Sequence, residues 1–209
     1  QDAGCGLVHM STCFVTGQQS GPIPEDRELV GFCPNGDPFD PERELLDAVD
    51  LAREVRHRAD AQVLENKFYE QAKEALTKEG LDYEDPARLA AGFKTYKKRW
   101  IDKELVREGM ERAKQWGWTN TYTYTKSLGE QVTLRRAKEM GIPLTIVRPA
   151  IVESARYFPF PGWNEGVNTC APIVYIYWKG VRFTPSNPDN ILDVVPVDYV
   201  CRGTLAAAT

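Results

Sequence analysis

Tyr122-Thr123-Tyr124-Thr125-Lys126-Ser127 is the stretch on which the reading of this 209-residue chain turns. Tyr122 and Lys126 are four residues apart, so on a helix they share one face with their Cβ atoms about 5–6 Å apart. An ammonium held beside a phenol favours the phenolate, and such a phenol can give and take a proton near neutral pH. Carbonyl reduction needs a group of that kind. The spacing is also that of an ordinary solvated helix face, because Tyr and Lys are both common on helices, so the flanking sequence has to decide.

A helix is predicted from Tyr122 to Met140, with Thr119 or Asn120 before it as a cap and Gly141 as its stop. Pro143-Leu144-Thr145-Ile146-Val147-Arg148 follows as an alternating, branched strand that ends at Pro149. Far upstream, residues 7–15 are apolar and β-rich and read as a buried strand broken at Thr16-Gly17. Strand, helix and strand in this order suit a parallel sheet, where chemistry gathers at the carboxyl ends of the strands. Ser11 and Thr12 lie near one such end, and Pro149 and Ala150 lie just past another. With Tyr122 opening the intervening helix, three segments are expected to converge on one crevice. Taken alone, Ser11-Thr12 is equally plain strand filler, and His9 reads as a structural strand residue.

The remaining sequence fills in around this frame. Residues 17–41 are rich in Gly and Pro and read as an irregular excursion. Asp40-Pro41 then looks like an N-cap followed by proline at the first helical position, and the pattern stays helical to about Gly80. Asp85-Pro86 starts another helix, and Lys94 to Trp116 reads as one or two more. Residues 155–172 are loop-like, Ile173 to Trp178 reads as strand or helix, Ile191 to Val195 as a short strand, and a final helix starts at Asp198. There are no repeats and no low-complexity tracts.

Composition narrows the function classes. Hydrophobic residues make up 42% and charged residues 27%, which is ordinary for a globular domain. The formal net charge of -4 argues against nucleic-acid binding. Lys94, Lys97, Lys98 and Arg99 do cluster, but Asp102 and Glu104 follow them, as on a solvated helix face. Five cysteines, an odd number without a C-x-x-C pair, and two histidines give no metal site and no disulfide framework. A reducing compartment fits that usage. No apolar run approaches the ~18 residues of a membrane span, and Gln1 to Gly6 has no signal-peptide pattern.

Five stretches together resemble one family. They are His9-Met10-Ser11-Thr12-Cys13-Phe14-Val15, Asn120 to Glu130, Pro143 to Val152, Pro161 to Gly166, and Leu192 to Asp198. In this order they are similar to the extended short-chain dehydrogenase/reductase superfamily, and most of all to the fatty acyl-CoA reductases of the male-sterility type. The resemblance spans nearly the whole chain. It implies an α/β fold, the C-terminal part of an extended Rossmann domain with parallel strands and a long helical insertion at about residues 40–118. Residues 1–39 would hold a strand and loop of the core. Residues 119–209 would hold the catalytic helix, the following strand and the start of a substrate-binding region.

The same resemblance implies roles. Tyr122 would be the acid and Lys126 its activating partner, which also binds the nicotinamide ribose. Thr12 would hydrogen-bond the substrate carbonyl, with Ser11 as the neighbouring alternative. Pro149, Ala150 and Ile151 match the segment that packs on the nicotinamide. Pro161, Gly162 and Trp163, with the apolar run Ala171 to Trp178, are candidates for an acyl-side wall, although loop and core packing explain them equally well. The implied activity is NADPH-dependent reduction of a long-chain acyl-CoA thioester to the aldehyde, with a second reduction to the alcohol left open. A carrier-protein thioester or a nucleotide sugar is the alternative substrate for the same scaffold, and a non-catalytic scaffold domain is the alternative from another class. The flavour is closest to bacterial members, which implies a bacterial cytoplasmic protein, with membrane association open.

One family element is not in the sequence. No G-x-x-G-x-x-G turn lies between a strand and a helix, and the only early glycines are Gly4, Gly6 and Gly17. In the family that turn precedes the strand matched by residues 7–15. The chain is therefore expected to be a fragment lacking the first Rossmann half, on the order of 100 residues. Without the helix N-terminus that seats a pyrophosphate, it is expected to bind the cofactor poorly or not at all by itself.

Overall fold

A computed structural model describes residues 5–19, 21–26, 28–166, 169–183, 187 and 189–208. The early Gly4 and parts of the expected 155–172 loop (167 and 168) lie outside the described residues. The chain divides into two compact units, residues 17–128 and residues up to 16 together with those from 129 onward.

The first unit is helical. α1 (Pro41–Arg58) starts where Asp40 accepts a hydrogen bond from the Glu42 amide at 3.1 Å, with Pro41 at the first position. Glu42 and Glu44 sit in its first turn and Arg56, His57 and Arg58 in its last, each matching the helix dipole. The long helical stretch expected from 40 to 80 breaks at residues 59–61, and α2 (Gln62–Lys78) follows. α3 (Pro86–Gln115) is one continuous helix of 30 residues, capped by Asp85 through the Ala87 and Arg88 amides. It is about 45 Å long at the usual rise.

α2 and α3 pack through aromatic rings. Tyr69 stacks on Phe93 at 4.4 Å, and Phe68 meets Phe93 edge-on at 6.0 Å. Gly92 lets the helices close up, because a Cβ there would lie 2.8 Å from that of Ala72. Two members of the basic cluster on α3 are in ion pairs. Lys97 reaches Asp60 at 2.6 Å and Glu65 at 3.4 Å, and Lys98 reaches Asp102 at 3.3 Å. The exposed Lys98–Asp102 pair is of the kind the acidic neighbours suggested, whereas Lys97 is largely covered and its partners come from residues 60–65.

The described residues of the Gly/Pro-rich excursion include a small core of their own. Leu29, Cys33 and Phe39 are buried in it, and Phe39 packs edge-on against Trp116 at 5.0 Å and Trp118 at 5.5 Å. The Asn35 side chain donates to the Gln115 carbonyl at 2.9 Å, and Gly117 takes the positive φ of +89° that lets the chain turn against Pro34 and Asn35. This turn delivers the chain to α4 (Thr121–Met140).

The second unit carries the strands. β1 (Leu7–Met10) pairs in parallel with β2 (Leu144–Val147), in the register Leu7 to Leu144 through Met10 to Val147. β3 (Ile151–Glu153) pairs in parallel with β4 (Val194–Pro196). The strand expected over residues 7–15 is shorter than its apolar run. It ends at Met10, and Cys13–Thr16 form a 3-10 turn instead, although the Ser11 and Cys13 amides still bond to the chain at the end of β2 and beyond it. Leu7 and Met10 are also more exposed than the expected buried strand would allow. The last strand begins three residues later than the apolar pattern indicated, at Val194. α5 (Ala171–Trp178) resolves the strand-or-helix ambiguity as a helix, and α6 (Val197–Ala207) packs against β2, β3 and β4. The α/β class with parallel strands and a long helical segment is what the structure shows.

Candidate active site

The start of α4 sorts its two tyrosines. Asn120 caps the helix, its side-chain oxygen accepting from the Thr123 amide at 2.9 Å. Tyr122 in the first turn is 56% exposed, and Lys126 follows one turn later and is half-buried. Tyr124 is only 3% exposed, its ring lying 5.7 Å from that of Trp118. Its hydroxyl donates to Glu44, a buried carboxylate that also takes the Arg112 guanidinium at 2.6 and 2.8 Å. Burial, and then the neighbouring Glu44 charge, push the Tyr124 phenol well above its ordinary range. Tyr124 therefore stays protonated and occupied, while Tyr122 stands on an accessible face.

In the other unit, the parallel β1–β2 pair brings two of the expected segments together at their carboxyl ends. The Ser11 amide donates to the Val147 carbonyl at 2.7 Å, and the Cys13 amide to the Pro149 carbonyl at 3.0 Å. Thr12 is buried between these two bonds, and its hydroxyl oxygen accepts the Phe14 amide at 3.4 Å. Ala150 follows Pro149, and Ile151 begins β3, opposite Val194. Ser11 differs from Thr12 in its partner: its hydroxyl donates to Glu130 at 2.5 Å.

The Pro161-Gly162-Trp163 segment is a tight loop. Gly162 at φ +83° donates to the Ala155 carbonyl at 2.8 Å, and the Ala155 amide donates to the Trp163 carbonyl at 2.9 Å. Asp198 holds the preceding stretch by accepting the amides of Arg156 and Tyr157, each at 3.0 Å, and of Phe158 at 3.4 Å. These amides, that of Arg156 foremost, keep its carboxyl below the ordinary range. A cavity of about 400 Å³ lies here, lined by Glu153, Ser154, Gly162, Val174, Tyr175 and Trp178 among others. Glu153, at the carboxyl end of β3, anchors the start of α5 by accepting from the Thr169 hydroxyl and from the Cys170 amide at 2.6 Å. The apolar side chains of α5 are exposed, Trp178 most of all at 76%.

Two features were not read from the sequence, the Glu44–Arg112–Tyr124 cluster and the Ser11–Glu130–Arg148 cluster. The first joins residues up to 80 positions apart, and nothing local marks such a pairing. For the second there was a signal: charged residues seldom lie in fully buried positions unless paired, and Arg148 ends an apolar strand. Among the described residues, no group of three or more His, Cys, Asp or Glu side chains is placed to hold a metal ion, and no helix is long and apolar enough to cross a membrane.

Parallel strands β1 and β2, with a helix preceding β2 in the chain, define a piece of a Rossmann-like α/β domain of the extended short-chain dehydrogenase/reductase type. The family model described as male sterility protein matches residues 5–204, and the chain belongs to that family. It is 33% identical over 202 residues to an alcohol-forming fatty acyl-CoA reductase of Simmondsia chinensis, covering 96% of this chain and 34% of the relative. It is 34% identical over 203 residues to fatty acyl-CoA reductase 8 of Arabidopsis thaliana, covering 97% and 34%. It is 36% identical over 108 residues to human fatty acyl-CoA reductase 2, covering 51% and 20%. The chain thus spans about a third of the length of the plant relatives. These relatives overturn the first part of the expectation of a bacterial cytoplasmic protein: they come from plants and human, and a bacterial origin is not supported.

Proposed function

We propose that the protein to which these residues belong is an oxidoreductase that reduces a long-chain fatty acyl-CoA thioester with NADPH, giving the fatty aldehyde and, after a second reduction, the alcohol. The observation that carries this reading is the β1–β2 register, which sets Ser11, Thr12 and Cys13 beside Val147 and Pro149 at the carboxyl ends of parallel strands. The names of the relatives supply the substrate class.

The residues present fit the nicotinamide end of such a cofactor. Tyr122 is exposed on the first turn of α4 with Lys126 one turn on, and Pro149 to Ile151 offer a short apolar segment just beyond β2. When bound, a reduced nicotinamide supplies the hydride that the thioester carbonyl carbon receives. Tyr122 gives a proton to the carbonyl oxygen as negative charge builds on it, and Lys126 holds the phenol and the ribose. Thr12 donates a hydrogen bond to the same oxygen. Stabilising that developing charge is the largest service a fixed donor can render. As the C–S bond of the resulting hemithioacetal breaks, its hydroxyl proton returns to the Tyr122 phenolate, the CoA thiolate leaves and the aldehyde remains. Pro161, Gly162 and Trp163, with the exposed apolar face of α5, form the acyl side, where a cavity of about 400 Å³ falls in the range of small-molecule sites.

The test is consumption of NADPH by the full-length protein with a long-chain acyl-CoA, with NADH and an acyl carrier-protein thioester as the comparison cofactor and substrate. Acyl-CoA-dependent oxidation of NADPH with aldehyde or alcohol as product supports the proposal. Turnover with neither cofactor, or only with the carrier-protein thioester, contradicts it.

A further inference from the structure

We propose that Ser11, Glu130 and Arg148 form a positioning device that sets Thr12 and the Pro149–Ile151 segment, an inference that rests on the roles just given to those residues. Glu130 is fully buried on α4, eight residues after Tyr122 and four after Lys126. One of its oxygens accepts the Ser11 hydroxyl at 2.5 Å. The Arg148 guanidinium grips the same carboxylate, its Nε lying 3.1 Å from each oxygen and its Nη2 2.5 Å from one of them. A single carboxylate therefore ties together the residue before Thr12, the residue before Pro149, and α4.

Stability alone does not explain such a cluster. A buried ion pair can often be replaced by apolar side chains of similar volume at no loss, because desolvation offsets the attraction. What an apolar replacement would not reproduce is direction. Two backbone hydrogen bonds, Ser11 to Val147 and Cys13 to Pro149, already fasten the strand ends along the sheet. The carboxylate adds a side-chain bond at Ser11, one of these positions, and others at Arg148, which stands between Val147 and Pro149, so the two strand ends are tied through side chains as well as backbone. The arrangement also separates Ser11 from Thr12. The Ser11 proton is directed at Glu130, so Ser11 acts through its neighbour as a positioning residue, and Thr12 is the hydroxyl left to the substrate.

The experiment is a double-mutant cycle in the full-length protein with Ser11→Ala, Glu130→Gln and the two combined. It reads kcat and KM with a long-chain acyl-CoA and NADPH, the Kd for NADPH by fluorescence, and the melting temperature. Ser11→Ala leaves the Glu130–Arg148 pair intact, so the fold survives in that variant. It is expected to lower kcat about tenfold with KM within about twofold and the melting temperature unchanged, since small misplacements near reacting groups cost on the order of tenfold to a hundredfold. The double variant is expected to be no worse than Glu130→Gln alone, because the two residues act as one unit. A wild-type kcat in Ser11→Ala, losses that multiply in the double variant, or losses that only follow the melting temperature would overturn the proposal. A wild type that turns over no acyl thioester would defeat the functional reading instead. The same cycle is then read in the Kd for NADPH, where non-multiplying losses support the positioning role and multiplying or absent losses overturn it.

Discussion

The Tyr124 hydroxyl donates to the carboxylate of Glu44, a residue 80 positions earlier in the chain. This bond decides between two tyrosines that stand two residues apart in the same motif. Tyr124 is buried and committed to a cluster with Glu44 and Arg112, and the accessible phenol is that of Tyr122.

Replacing Tyr124 by Phe removes one hydrogen bond to a charged group and leaves the Arg112–Glu44 pair in place. The expected cost is about 1.5–3 kcal/mol of stability. Chemical denaturation measures that loss, and activity per folded molecule should stay within about twofold of wild type.

Glu44→Ala is expected to be harsher. It leaves the Arg112 guanidinium, whose side chain is 21% exposed, without the carboxylate it contacts through two nitrogens. Removing one partner of a buried pair costs about 3–5 kcal/mol, so this variant should be less stable than Tyr124→Phe in the same denaturation assay.

Gly117→Ala tests the turn that leads into α4. The position has φ +89°, and an added Cβ would lie 2.8 Å from the Asn35 amide nitrogen. A non-glycine residue held in that conformation costs about 1–3 kcal/mol, which a thermal melt would show as a lowered midpoint.

Asp198 sets a pH dependence. Its carboxyl is held below the ordinary range by the backbone amides of Arg156, Tyr157 and Phe158. A depressed carboxylate contributes stability above its unfolded pKa of about 4, and that contribution is lost as pH falls through the folded value. Asp198→Asn should therefore be less stable than wild type at neutral pH. The gap should close as the pH is lowered below about 4, as followed by denaturation at a series of pH values.

Much of the frame was legible because it rests on local signals. Proline and glycine at positions 41, 86 and 141, with Asp40, Asp85 and Asn120 as caps, mark helix ends through backbone chemistry that a sequence displays directly. The alternating strand at 144–147 was equally plain. The ends of β1 and β4 were misplaced because an apolar run says where a strand can be buried, while the pairing partner decides where the ladder stops. Tyr122, Lys126 and Thr12 were named from a motif that the sequence carries. Glu130 and Arg148 stood inside the matching stretches without a role, since only the folded β1–β2 pair shows that their partner is Ser11. The Glu44–Tyr124 bond had no local signature at all.

The most direct test of the account compares Tyr122→Phe with Tyr124→Phe in the full-length protein, measuring kcat for acyl-CoA-dependent NADPH oxidation in both. A positioned general acid contributes about 10²- to 10⁴-fold. The account predicts a loss of that size in Tyr122→Phe and near-wild-type turnover per folded molecule in Tyr124→Phe. Full activity in Tyr122→Phe, or the larger loss in Tyr124→Phe, would contradict it.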